Sequence, residues 1–258
     1  MDNLTVDHID QRLKEYKITI DRTVFELAKE LAPQDPYHNF GHELQVANTV
    51  IDLWEIQNKN KTKKDLQGLK LLVIAAIFHD AWYRMDEKKT KLWELKTCDI
   101  LQEFLKDQTL QELGIKRKQL NSLILNTKLE SHKTTVDELS QILQDADFGC
   151  FWYGPEYLLY TVMNLIDEGE ITLDHFIDNE RNFLIKFLNR KVFVSKAGQA
   201  FFDNPFASIK TIESRWQDVI NEAYRLREEK LTYSEFVEKL HAFIKSKWRK
   251  VRSPLEVP

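Results

Sequence analysis

Apolar residues recur every three to four positions through nearly every segment of this chain, and they almost never alternate, which is the side-chain pattern of helices and not of half-buried strands. Turn-formers are scarce as well: 7 Gly and 6 Pro among 258 residues are far fewer than a β-sandwich or propeller uses. The expected fold class is all-α, a helical bundle with additional C-terminal helices. With 43% apolar residues and 15 Phe the chain can bury a sizeable core, so a disordered or collagen-like polymer is excluded. The 37 basic and 41 acidic residues leave a net charge of −4, which offers nucleic acid no general attraction, and no specific nucleic-acid partner is expected.

Cys98 and Cys150 are the two cysteines, too few for a disulfide framework and not spaced like a zinc knuckle, which fits a reducing compartment. The N-terminal segment is acidic and amphipathic and lacks the basic and apolar regions of a secretory signal. The most apolar stretch, residues 69–78, is about half the length that a membrane-spanning helix requires. A cytoplasmic protein without a membrane partner is the expectation, and no heptad pattern argues for an oligomer.

The periodicity predicts a first helix over 6–31, closed by Pro33-Gln34-Asp35-Pro36, because each proline pushes its predecessor out of helical geometry. A second begins near His38, carries Val46, Ala47, Val50, Ile51 and Trp54 on one face, and ends in the polar run 58–64. Asp65 is positioned to cap a third over 66–84. A fourth covers 89–107, Gly114 separates a fifth over 116–130, and a sixth covers 137–151. Further helices are expected over 156–168, 173–190, 205–229 and 233–250. Residues 192–202, with a glycine and β-branched residues, fit no element well. The C-terminal stretch 241–258 has five basic residues against one acidic, a charged helix face with Phe243 and Trp248 interleaved.

Three segments carry chemistry. His38 and His42 are four apart and share a helix face, a spacing that can present two imidazoles to one ion. Asp80 lies in line with Val73, Ala76 and Ile77, on the buried side of the third helix and directly beside His79. An ionised carboxylate in apolar surroundings must be met by a cation, hydrogen-bond donors or a metal, so Asp80 caps a neighbouring helix, pairs with Arg84, or ligates an ion with His79. Asp145 and Asp147 interrupt an apolar stripe of Leu139, Ile142, Leu143, Ala146 and Cys150. Residues two apart on a helix diverge by about 200°, so only one of the two can face a shared ion. Asp147 lies slightly nearer the stripe.

The order His42, His79-Asp80, Asp147 resembles the H…HD…D signature of the HD-domain superfamily of metal-dependent phosphohydrolases. More narrowly, Tyr37-His38-Asn39-Phe40-Gly41-His42, Phe78-His79-Asp80-Ala81-Trp82-Tyr83 and Asp145-Ala146-Asp147-Phe148 resemble a bacterial group with the pattern YHNxxH, FHDAxY and DADL. The likeness covers residues 37–215. It implies an HD-type domain over 1–215 with 216–258 as a helical extension packed on it, and it places the metal ligands on His42, His79, Asp80 and Asp147. Two imidazoles and two carboxylates form an N/O set that suits Mn, Fe, Co, Ni, Zn or, less well, Mg. His132 matches a histidine that helps to hold a second ion in two-metal relatives; it, His38 and Asp145 are outer-shell or second-metal candidates.

The implied reaction is hydrolysis of a phosphate ester by metal-activated water, the partner being a small phosphorylated substrate such as a nucleotide. Asp80 and Glu94 are the catalytic candidates. Relatives read NEEKSA where this chain reads Trp93-Glu94-Leu95-Lys96-Thr97-Cys98, so Glu94 and Lys96 are kept and their neighbours are not. Arg84, Lys88, Lys89 and Lys96 are candidates to hold phosphate oxygens. Tyr37, Trp82, Tyr83 and Trp93 either stack on a base or belong to the core. Two rival readings remain: a non-catalytic metal- and nucleotide-binding module, and a di-iron oxygenase that needs His132 as a ligand.

Overall fold

A computed structural model describes residues 4–59, 65–83, 93–127, 137–149, 164, 172, 193–202 and 209–248. Their regular elements are all helices: α1 (Val6–Glu15), α2 (Arg22–Leu31), α3 (Phe40–Asn58), α4 (Leu66–Phe78), α5 (Trp93–Phe104), α6 (Asp107–Glu112), α7 (Arg117–Leu125), α8 (Glu138–Gly149), α9 (Lys196–Phe202), α10 (Ile209–Arg227) and α11 (Tyr233–Trp248). The all-α expectation therefore holds, and an isolated antiparallel bridge between Gln34 and Asn39 is the extended pairing recorded among the described residues. No helix among them is long and apolar enough to cross a membrane. The expected helices over 156–168 and 173–190 lie outside the described residues, apart from single positions. Two compact units divide the chain, one of residues up to Gly149 with 193–201, the other of 150–192 with 202 onward.

Where one helix was expected over 6–31 there are two. Tyr16 closes α1, and Lys17 turns the chain with a φ of 57°, a left-handed conformation that side chains rarely adopt. Asp21 then caps α2, its carboxylate accepting from Thr23 N at 2.8 Å. The break is tied down from outside: Arg12 donates to Asn48 O at 3.2 Å and Asn48 Oδ1 at 2.7 Å and pairs with Asp52 at 2.7 Å and Glu55 at 3.1 Å, anchoring α1 to α3. Arg12 is only 17% exposed, so its loss strands several acceptors away from water. Arg12→Ala should lower the unfolding free energy by about 2 kcal/mol, measured by urea denaturation.

The core of the first unit is α3 against α4 and α8, with α4 also meeting α2, α7 and α8. Leu71 to Phe78 are buried without interruption. A helix covered on all sides shows no polar face, which is why α4 reads as a continuous apolar run. Asp65 caps it as expected, accepting from Gly68 N at 2.8 Å. Gly114, with φ 71°, makes the expected turn between α6 and α7, and its carbonyl accepts from Gln67 Nε2 at 2.8 Å. In the second unit Val219, Ala223 and Leu226 of α10 are buried, as are Phe236 and Leu240 of α11, which packs on α10. Thr232 and Glu235 open α11 with a reciprocal capping pair.

Candidate metal centre

The site begins with how α3 starts. Asn39 accepts from Gly41 N at 2.9 Å and His42 N at 3.2 Å, while its amide donates to Asp35 O at 3.1 Å and Pro36 O at 2.9 Å. One side chain thus caps the helix and fastens the preceding corner. A Cβ at Gly41 would come within 2.9 Å of the Asn39 side-chain oxygen, so the position favours glycine. The result aims His42 inward, buried, one turn into the helix.

Opposite it, α4 stops at Phe78 and His79 caps its end. Asp80 therefore lies beyond the helix, in the turn that follows, and not on the buried side of a longer third helix as expected. The turn is held by Ala81 N to Phe78 O at 3.1 Å and Tyr83 N to Asp80 O at 2.8 Å. From α8, Asp147 completes the approach. Nε2 of His79 lies 3.1 Å from Asp80 Oδ2 and 3.4 Å from Asp147 Oδ1; Nε2 of His42 lies 3.5 Å and 3.4 Å from the same two oxygens. Three helices thereby bring two imidazoles and two carboxylates together.

His79 reveals what this arrangement needs. Its Nδ1 lies 2.8 Å from Ala76 O, and because a carbonyl can only accept, Nδ1 carries the proton. A neutral His79 then directs the Nε2 lone pair at two carboxylate oxygens, which repel it unless a cation stands between them. A proton is one such cation: burial opposes charge on His79, but Asp80 and Asp147 outweigh burial and hold the imidazole well above its ordinary value. Burial likewise acts to raise Asp80 and Asp147, yet His79, with hydrogen bonds from His42 and His79, draws both below the carboxylate range. A divalent ion meets the same need. Ligand atoms about 2.1 Å from a first-row metal stand roughly 3 to 3.4 Å apart, close to the spacing found here. His42, His79 and Asp147 form a group whose ligand atoms lie within 4.8 Å of one another, and Asp80 borders it.

Asp145 goes elsewhere. It is fully buried and accepts from Val194 N at 2.9 Å and Ser195 N at 2.7 Å, binding the segment before α9 to α8. Burial pushes its carboxyl up to about 6 against the lowering effect of those bonds. His38 stands beside the cluster, its ring 5.9 Å from that of His42, stacked on Tyr83 at 3.5 Å and edge-on to Tyr37 at 4.9 Å. Tyr83 also meets Trp93 at 4.9 Å, so two of the four rings named as base-stacking candidates are engaged with one another, while Tyr37 packs against His38 and His42. Lys96 places its ammonium 5.4 Å above the Trp82 ring. Glu94 occupies the first turn of α5, where its charge acts on the Cys98 thiol one turn on. Arg84, Lys88, Lys89 and His132 lie outside the described residues.

Sequence reasoning missed Glu43. Its side chain is fully buried, and neither carboxyl oxygen has a hydrogen-bond partner among the described residues. The signal was available, since Glu43 falls on the stripe of Val46, Ala47, Val50 and Trp54. Burial pushes its carboxyl well above the ordinary value, with His79 and His42 opposing and Asp80 reinforcing the shift. The folded chain therefore binds this proton more tightly than the unfolded chain. The associated stability is full below the glutamate range near pH ~4.3 and is lost as pH rises toward the folded-state value. Glu43→Gln should remove a slope of about 1.4 kcal/mol per pH unit. The difference in urea-unfolding free energy between chelator-treated wild type and variant, from pH 5 upward, measures it.

With the geometry in place, a comparison with solved structures finds the phosphodiesterase domain of the Salpingoeca rosetta rhodopsin phosphodiesterase, with a TM-score of 0.55 at 17% identity, covering 88% of this chain and 92% of that one. At that identity the likeness is one of fold. No protein-family model and no curated protein matches the chain.

Proposed function

We propose that this chain is an HD-type, metal-dependent phosphohydrolase that cleaves a phosphate ester. The observation that carries the reading is the approach of the His42 and His79 Nε2 atoms to Asp80 and Asp147, a donor set that repels itself without a cation. The shared fold with a phosphodiesterase domain supports it. A divalent ion held by these four residues would polarise a phosphoryl oxygen and bring the pKa of a bound water toward neutrality.

The protein's own groups do the rest. Ala76 O holds His79 in one tautomer and one orientation, so its Nε2 stays directed at the centre. Asp80, at the edge of the cluster and 20% exposed, is the group assigned to accept the proton of the attacking water. Glu94 is the alternative acceptor, although the charges that act most strongly on Asp80 and Asp147 do not include it. His38, its ring stacked on Tyr83 and edge-on to Tyr37, is the outer-shell or second-metal candidate beside the ion. Lys96 is the described cation assigned to the phosphate oxygens, with Arg84 and Lys88 as further candidates. A nucleotide belongs to the substrate class, with Tyr37, Trp82, Tyr83 and Trp93 as the candidates to meet a base.

Elemental analysis of protein purified without chelator, together with a panel of phosphate esters, tests the reading. Bound divalent metal with turnover is expected. Metal binding without turnover would make the chain a binding module, and two redox-active irons would make it an oxygenase.

A further inference from the structure

Glu43 follows His42 directly in α3, and its side chain is fully buried. Neither carboxyl oxygen has a hydrogen-bond partner among the described residues. Buried polar groups are ordinarily hydrogen-bonded, and a carboxyl left unmet inside a protein is costly. An apolar side chain of similar volume would occupy the same place on α3 without that cost. Asp145, equally buried and two residues from Asp147 on α8, shows the usual solution, because the backbone N–H groups of Val194 and Ser195 meet its carboxyl. No donor among the described residues does this for Glu43.

What surrounds Glu43 is the metal cluster. Its helix packs against α4, and the charged groups that act on it are His79 and Asp80, at the end of α4, and His42 beside it in the chain. Three of the four residues assigned to the ion therefore face this carboxyl. Glu43 is not itself a ligand, since the carboxylates that approach the two imidazole Nε2 atoms are Asp80 and Asp147. It stands behind the ligands, out of water, where a charge acts at full strength because no solvent screens it. Asp80 opposes a negative charge on Glu43. A bound divalent cation is the largest local charge in such a site, and it reverses that balance.

We propose that Glu43 is an anionic partner of the bound metal ion that lies behind its ligands, so that the ion supplies the charge this buried carboxylate otherwise lacks. Glu43 is a positioning residue and not a catalytic one: it strengthens the hold on the ion without touching ion or substrate. The inference rests on the metal-centre reading above and adds to it a residue that the ligand pattern does not contain.

The affinity of the full chain for Co(II) and for Zn(II) is measured by competition with a chromogenic chelator. Glu43→Gln keeps the shape of the side chain and removes its charge, and it should bind both ions about 10- to 100-fold more weakly than wild type, the loss that follows removal of an outer partner of a metal ligand. Glu43→Asp keeps the charge and should lose less. At saturation the Co(II) absorption spectrum of Glu43→Gln should match that of wild type, because the ligands are unchanged. Urea unfolding with and without the ion separates this role from a merely structural one. The stabilisation that the metal confers should shrink in Glu43→Gln by about 1.4 kcal/mol for each tenfold loss of affinity. A side chain that only fills the core would lower the metal-free and metal-bound forms alike and leave that difference unchanged. Glu43→Met serves where the glutamine variant does not fold, since an apolar chain of similar volume suits a buried position, and it too should bind the ions more weakly. Binding by Glu43→Gln or Glu43→Met as tight as that of wild type, or tighter, overturns the inference and leaves the metal centre standing. A wild-type chain that takes up neither ion sinks the metal-centre reading and this inference with it.

Discussion

His79→Ala is expected to yield a folded protein that no longer retains a stoichiometric divalent ion and whose phosphate-ester hydrolysis falls by about 10³-fold or more. Losing an outer-shell partner of a metal ligand costs about 10- to 100-fold, and removal of the ligand itself must exceed that. The substitution also deletes the contact with Ala76 O, which only fastens the end of α4, so the far-ultraviolet spectrum should be retained. Metal content is the decisive readout. His79→Ala protein that keeps its full complement of metal would refute the assignment, whatever its activity. Asp147→Asn is the companion: it keeps the shape and one oxygen but removes the charge that faces both imidazoles, so metal affinity should fall less steeply than in His79→Ala.

Asp145→Ala should do the opposite, leaving the bound metal in place and lowering the unfolding free energy by about 3 kcal/mol. The carboxylate is fully buried and receives two backbone N–H groups, from Val194 and Ser195. Both donors would lose their acceptor inside the protein, where water cannot substitute. Ser195 Oγ in turn accepts from Gly198 N at 2.8 Å, so the opening turn of α9 depends on the same clasp. A Cβ at Gly198 would collide with the Asp145 carboxylate. Gly198→Ala should therefore be destabilising by the same route, and combining it with Asp145→Ala should cost less than the two single effects added, because the steric conflict vanishes with the carboxylate. Chemical denaturation with parallel metal analysis reads both variants. Loss of metal from Asp145→Ala at full stability would reverse the division of labour between the two aspartates.

That division shows where the sequence stops being sufficient. Asp145 and Asp147 sit in one short motif on one helix, and their directions differ by what helix geometry requires. Which direction meets the imidazoles depends on where α3 and α4 lie against α8. The margin along the apolar stripe pointed to Asp147, but the destination of Asp145 was invisible, since its partners are backbone groups of a distant segment that fits no regular pattern. Lys17 illustrates the converse difficulty. The chain turns there without glycine or proline, and the three-to-four spacing runs across the turn, so a sequence reading joins α1 to α2. Glu43 is legible in the sequence by the same physics that singles out Asp80, because a carboxylate in line with a buried stripe must be compensated.

The chain's own sequence determined that it is helical, that Asn39 and Asp65 open two of its helices, and that His79 and Asp80 enter any site together. These are local matters, settled by side-chain spacing and by backbone groups within a few residues of one another. The tertiary structure alone decided that Asp147 faces the imidazoles while Asp145 binds backbone, and that Asp80 stands in a turn beyond α4. Each of these depends on the mutual orientation of elements far apart along the chain, and that orientation is set by how their buried faces pack, a property that periodicity within any one helix does not encode.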